Sequence, residues 1–84
     1  MTRWAVLGAG SWGTALALVL ARSGNDVLLW DHDPARADSL RRERENRRYL
    51  PGIPLPASIT PVAELEQALS SDRQILLAVP SHAF

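Results

Sequence analysis

Gly8-Ala9-Gly10-Ser11-Trp12-Gly13 sets three glycines at the spacing G-x-G-x-x-G, and the two flanks of this stretch decide how the chain folds. Before it stands Trp4-Ala5-Val6-Leu7, an apolar run without polar alternation, as expected of a strand buried on both faces. After it, residues 12–23 are rich in Ala and Leu and predict a helix, with Ala15, Leu16, Val19 and Leu20 as the face that packs on a sheet. A glycine loop that ends a strand and opens a helix is the context in which this spacing has a mechanism. Gly8 permits the tight turn, Gly10 lets a pyrophosphate approach the backbone, and Gly13 lets helix and strand pack closely. The unpaired N–H groups at the helix start, together with the helix dipole, favour an anion there.

Working outward, Gly24-Asn25 is a left-handed stop signal for the first helix, and Val27-Leu28-Leu29-Trp30 is a second buried strand. Asp31-His32-Asp33-Pro34 closes that strand, with Asp33 as N-cap and Pro34 at the first helical position. The helix expected over 34–46 is heavily charged, with Ala37 and Leu40 as its main apolar contacts. Prolines at 51, 54, 56 and 61, with Gly52, exclude a long helix, so an ordered loop with one short edge strand near 58–60 is expected. A helix over 62–69 and a strand over 74–79, ended by Pro80, complete the pattern. Helices alternating with apolar strands call for a parallel sheet with right-handed crossovers. The expected architecture is an incomplete, Rossmann-like α/β fold with helices on both faces and, by fold analogy, strand order 3-2-1-4.

Composition narrows the function. An 84-residue chain is one small domain, and the absence of cysteine removes disulfides, Cys-ligated zinc and thiol nucleophiles; no metal site is expected. Nine positive charges balance nine negative ones, which argues against a dedicated nucleic-acid binder. All nine cations are arginines, so a lysine general acid or base cannot come from these residues. The glycines break the amino-terminal apolar run, and no stretch approaches the roughly 18 apolar residues of a membrane span. The expectation is a soluble, cytoplasmic chain.

Asp31 lies 18 residues after Gly13, near where a carboxylate accepts hydrogen bonds from an adenosine ribose diol and disfavours a 2′-phosphate. His32 stacks on adenine or, when protonated, attracts that phosphate, so the two residues pull the NAD-versus-NADP choice in opposite directions. Asp31 and Asp33 also read as caps of the next helix. Six arginines between 36 and 48 read as a solvated face with i,i+4 pairs such as Asp38–Arg42, or as a phosphate-contacting patch. Trp4 and Trp30 are expected in the core, and Trp12 beside the ligand. Ser81 and His82 follow the last strand; no third member of a catalytic triad accompanies them, so Ser81 is read as a helix cap and His82 as lining the crevice.

Four blocks in order carry a resemblance. Gly8-Ala9-Gly10-Ser11-Trp12-Gly13-Thr14-Ala15, Leu29-Trp30-Asp31-His32, N-R-R-Y-L-P-G-I-P-L-P over residues 46–56 and A-V-P-S-H over 78–82 are similar to motifs of the bacterial NAD(P)-dependent glycerol-3-phosphate dehydrogenases. The resemblance implies that Ser11 and Trp12 contact the cofactor beside the pyrophosphate, that His32 sits at the adenosine end, and that Tyr49 approaches the site. Asp31 departs from the small or neutral residue often found in that family, which leaves the dinucleotide preference open. Members of the family are several-fold longer and carry a catalytic lysine. Residues 1–84 are therefore expected to be the amino-terminal part of the NAD(P)-binding domain, without the substrate domain, without catalytic residues and inactive alone. The resemblance implies NAD(P)(H) as cofactor and hydride exchange with glycerol 3-phosphate or dihydroxyacetone phosphate for glycerophospholipid precursors. The last strand, whose cover would come from the second half of such a domain, presents an open edge that predicts self-association, a homo-oligomer, or marginal stability. Charge balance and short apolar runs point to no nucleic-acid or membrane partner. A stand-alone nucleotide-binding module, an RNA-contacting domain, and a dehydrogenase of the 6-phosphogluconate or hydroxyacyl-CoA type are the alternatives; the last would share the glycines but not N-R-R-Y-L-P-G.

Overall fold

The apolar runs on either side of the glycine loop and after Asn25 form the centre of a parallel sheet. The structure, a computed structural model, describes residues 2–69 and 72–78. Its elements run β1 (Arg3–Leu7), α1 (Ser11–Arg22), β2 (Asp26–Trp30), α2 (Pro34–Glu43), β3 (Glu45–Asn46), β4 (Leu50–Pro54), β5 (Ile59–Val62), α3 (Leu65–Ala68) and β6 (Gln74–Leu77). Four strands make one sheet in the order β5-β2-β1-β6, every pairing parallel. Counted within that sheet alone, this is the expected 3-2-1-4; the chain numbering differs because the two-stranded hairpin β3–β4 intervenes.

Side chains alternate across the sheet, as the period of two requires. Val6, Val27, Leu29 and Ile59 face Ala17 and Leu18 of α1 and Leu40 of α2. Ala5 and Leu7 face the other way, with Ala68 of α3, Leu28 and Trp30. Full burial of a side chain such as Leu29 or Ile59 is worth about 1.5–3 kcal/mol. At the sheet's lower end Arg73 donates to the Trp4 carbonyl (3.1 Å) and pairs with Asp26 (3.0 Å), which ties β6 to β1 and β2. The caps follow the sequence: Asp33 Oδ1 accepts the Ala35 N–H at 3.0 Å with Pro34 in the first turn, and Gly24 takes φ +87° after α1.

Several expectations are corrected. The buried face of α1 is Gly13, Thr14, Ala17 and Leu18; Val19 is exposed, and Ala15, Leu16 and Leu20 are half-buried. Gly13 must face the strand to allow the close approach, and that sets the rotation of the whole helix. Helix α2 stops at Glu43, short of 46, because Arg44 turns left-handed at φ 55°. Its guanidinium donates to the carbonyls of Pro56 (2.6 Å) and Ile59 (2.8 Å), contacts that over-determine a conformation unusual for a side-chain-bearing residue. The proline-rich loop contains the β3–β4 hairpin besides the edge strand, because Pro51 and Pro54 are tolerated in a strand with a free side. The edge strand itself runs to Val62, which shortens the expected 62–69 helix to Leu65–Ala68. The last strand ends at Leu77; Val79, Pro80, Ser81 and His82 lie outside the described residues. Trp4 and Trp30 are half-buried at the margins of the two cores. Among the described residues, no helix is long and apolar enough to cross a membrane.

Candidate functional site

The three loop glycines answer three different demands. Gly8 has φ +118°, and a Cβ there would lie 2.6 Å from the Ala78 carbonyl oxygen. A Cβ on Gly13 would come within 1.7 Å of the Gly8 carbonyl oxygen, so no side chain fits between helix and strand. Gly10 is unlike both: its φ of −73° suits any residue, and among the described residues a Cβ would meet no atom within 4 Å. Neither backbone strain nor packing among the described residues calls for glycine at position 10. The space beside it is open to whatever occupies the cavity.

Gly10 is also the N-cap of α1, with no side-chain cap and no acidic residue in the first turn. The N–H groups of Ser11, Trp12 and Gly13 have no carbonyl within the helix to donate to, and Thr14 is the first to donate back, to Gly10 at 2.9 Å. A helix that begins with free donors and no carboxylate presents a positive end to an anion.

A cavity of about 570 Å³ opens over this loop. Its walls are Gly8, Ala9, Gly10, Ser11 and Trp12 on one side, Trp30, Asp31, His32 and Arg36 on the other, with Tyr49 and Ala78 between. The fold thus brings together Gly8, Gly10, Ser11, Trp12, Asp31, His32 and Tyr49, while Gly13 supports the loop from behind. Trp12 is 67% exposed at the cavity, where its indole offers an apolar flank to a bound molecule.

At the far end, Asp31 is buried although it carries a charge (2% exposed). Its Oδ1 accepts the Asp33 N–H at 2.9 Å, and its Oδ2 accepts from Arg36 at 3.3 Å. His32 Nδ1 stands 3.6 Å from Asp31, with its ring largely in solvent. Trp30 is anchored by its Nε1–H, which donates to the Ala63 carbonyl at 3.0 Å, and its ring lies 6.4 Å from that of His32. The guanidinium groups of Arg36 and Arg48 lie 5.8 and 5.3 Å from the centre of the Tyr49 ring, within cation–π range.

Sequence reasoning missed Asn46. It is buried; its Nδ2 donates to the Ala9 carbonyl and to Thr14 Oγ1, both at 2.8 Å, and its Oδ1 accepts the Tyr49 N–H at 3.3 Å. One amide thereby joins the glycine loop, the first turn of α1 and the hairpin that presents Tyr49. An Asn ahead of a proline-rich loop reads locally as a turn former. Nothing in the sequence identifies partners that lie 32 and 37 residues away. Arg36, which the sequence places in a solvated patch, is likewise turned into the cavity.

A parallel sheet crossed by helices on both faces, with a glycine loop leading into an uncapped helix, defines the class of Rossmann-like nucleotide-binding folds. Residues 3–84 match the family model described as NAD-dependent glycerol-3-phosphate dehydrogenase N-terminus, and the chain belongs to that family. A Xanthomonas euvesicatoria protein named glycerol-3-phosphate dehydrogenase (NAD(P)+) is 55% identical over 80 residues, which are 95% of this chain and 24% of the relative. A Bacillus cytotoxicus protein of the same name is 50% identical over 84 residues, all of this chain and 25% of the relative. The crystal structure of glycerol-3-phosphate dehydrogenase from Coxiella burnetii superposes with a TM-score of 0.88 at 46% identity, over 95% of this chain and 25% of that one. The chain thus spans about a quarter of the length of these relatives.

Proposed function

We propose that residues 1–84 form the amino-terminal part of the NAD(P)(H)-binding domain of an oxidoreductase that interconverts glycerol 3-phosphate and dihydroxyacetone phosphate. The observation that carries this reading is the open space at Gly10, beside the free N–H groups of α1. The residues fit a dinucleotide: a pyrophosphate needs backbone donors and no side chain in its way, and the cavity supplies both. When bound, the nicotinamide cofactor supplies the hydride chemistry.

The chain's own residues bind and orient. Gly10 and Ser11 hold the pyrophosphate by their backbone, and Gly8 makes the turn before them with its own N–H donated to the Trp30 carbonyl at 3.0 Å. Trp12 flanks the ligand, and Asp31, His32 and Tyr49 wall the adenosine end. Proton transfer is not assigned to these residues, which include no lysine. The reading places the protein in the cytoplasm, in supply of phospholipid precursors, and as a homo-oligomer. The edge of β6, unpaired on one side among the described residues and with Ile75 and Leu77 exposed, supports association when residues 1–84 are produced alone.

Titration with NADH and NADPH tests the reading, followed by tryptophan fluorescence with Gly10→Asp as the control. Saturable binding that the added carboxylate abolishes is the expected result. Equal binding by Gly10→Asp overturns the pyrophosphate assignment, and dihydroxyacetone phosphate reduction by residues 1–84 alone overturns the division of labour.

A further inference from the structure

We propose that Arg36, held at the far end of the cavity by Asp31, is the residue that recognises a 2′-phosphate on the adenosine ribose, so that the site prefers NADP(H) to NAD(H). The inference rests on the dinucleotide reading above and assigns its specificity. A carboxylate after the second strand ordinarily selects the unphosphorylated ribose, but only if it faces the ligand free. Asp31 does not: it is 2% exposed, with Oδ1 taken by the Asp33 N–H and Oδ2 by Arg36. A ribose hydroxyl would have to displace Arg36 to reach it.

The charge that the ligand meets is therefore the guanidinium. Arg36 lines the cavity with its side chain 26% exposed, and it spends one long contact of 3.3 Å on Asp31. Its remaining N–H donors form a planar fork of the kind that binds phosphate oxygens in pairs. Tyr49 limits the fork from one side, at 5.8 Å. Arg48 on the same ring adds positive potential at this end. The other carboxylate here, Asp33, has Oδ1 committed to the cap of α2. Asp31 is thus a positioning residue: it aims the guanidinium and offsets part of its charge in the ligand's absence.

The test compares NADH with NADPH, and ADP with 2′,5′-ADP, by fluorescence and calorimetry on the intact polypeptide that carries these residues. The unmodified protein is expected to bind 2′,5′-ADP about tenfold tighter than ADP, with the steeper salt dependence for the phosphorylated ligand. Arg36→Ala is expected to weaken NADPH about 10- to 100-fold, the range of a charge-assisted hydrogen bond, while NADH stays within about threefold. Arg36→Lys restores part of the loss, as a point charge without the fork. Asp31→Asn is expected to weaken NADPH less than Arg36→Ala does, and to weaken NADPH more than NADH. Parallel loss of both dinucleotides in Asp31→Asn returns Asp31 to the ribose diol and overturns the proposal. Should Arg36→Ala fail to fold, the two ADP ligands on the unmodified protein decide, and equal affinity overturns the proposal. Binding of NADH without 2′-phosphate discrimination overturns this inference alone; no binding of any dinucleotide overturns the functional reading with it.

Discussion

The glycine-loop end of the cavity is walled by backbone, whereas the opposite end is walled by side chains from three separate segments. At the first end the donors are the N–H groups of consecutive residues, and their direction follows once a strand hands over to a helix. At the second, Asp31 and Arg36 come from the end of β2 and the start of α2, Tyr49 from the hairpin, and Trp30 is fixed by Ala63 beyond β5. The comparison teaches that a backbone site is specified locally, while a side-chain site needs the sheet order before its members meet. Asn46 stands at the junction and makes each end depend on the other.

The sharpest way to break this contrast is inside the loop. Gly13→Ala puts a Cβ 1.7 Å from the Gly8 carbonyl oxygen, and we expect a loss of about 3 kcal/mol or more in urea denaturation, since neither partner is a flexible side chain. A fully stable Gly13→Ala would show that helix and strand can separate. Asn46→Ala comes next: two buried partners and the half-buried Tyr49 N–H lose their amide, at an expected cost of about 2–3 kcal/mol by the same measurement. Because Asn46 joins the two ends, NADH affinity should fall as well; unchanged affinity in a destabilised variant would confine Asn46 to folding.

Gly10→Ala separates ligand from fold. With open space around the new methyl group, stability should move by less than about 1 kcal/mol. NADH affinity should drop about tenfold or more as the pyrophosphate is pushed from the donors, read by fluorescence titration. A loss of stability without loss of affinity would reverse the roles of Gly10 and Gly13. Smallest of all, Asp38→Ala removes a solvated pair to Arg42 at 2.8 Å, and its expected cost is below about 0.5 kcal/mol in thermal melts. A larger effect would mean that the charged face of α2 contributes more than solubility.

Legibility in the sequence follows the same division. Asp33-Pro34 and Gly24-Asn25 mark helix ends through contacts within a few residues, and the structure places caps at both. Apolar runs identified the buried strands, because a parallel strand covered on both faces has little room for polar side chains. The phase of α1 was misjudged from its leucines and valines, since the tightest contact on that helix is made by a residue with no side chain. The hairpin was hidden by its prolines, which argue against a central strand but not against an edge. Arg44 could not be foreseen in a left-handed turn, because the carbonyls that hold it lie 11 to 15 residues further on.

By itself the sequence determined the alternation of strands and helices, the caps, the glycine loop and the family of motifs, all of them matters of local conformation and short-range hydrogen bonding. Only the tertiary structure decided which way charge faces. It turned Asp31 inward onto a backbone N–H, turned Arg36 from a solvated patch into the cavity, and spent Asn46 on joining loop to hairpin. The physical reason is burial: a charged or amide group taken out of water must find partners, which for Asp31 lie 2 and 5 residues away and for Asn46 lie 37 and 32 residues away, where only the fold brings them alongside.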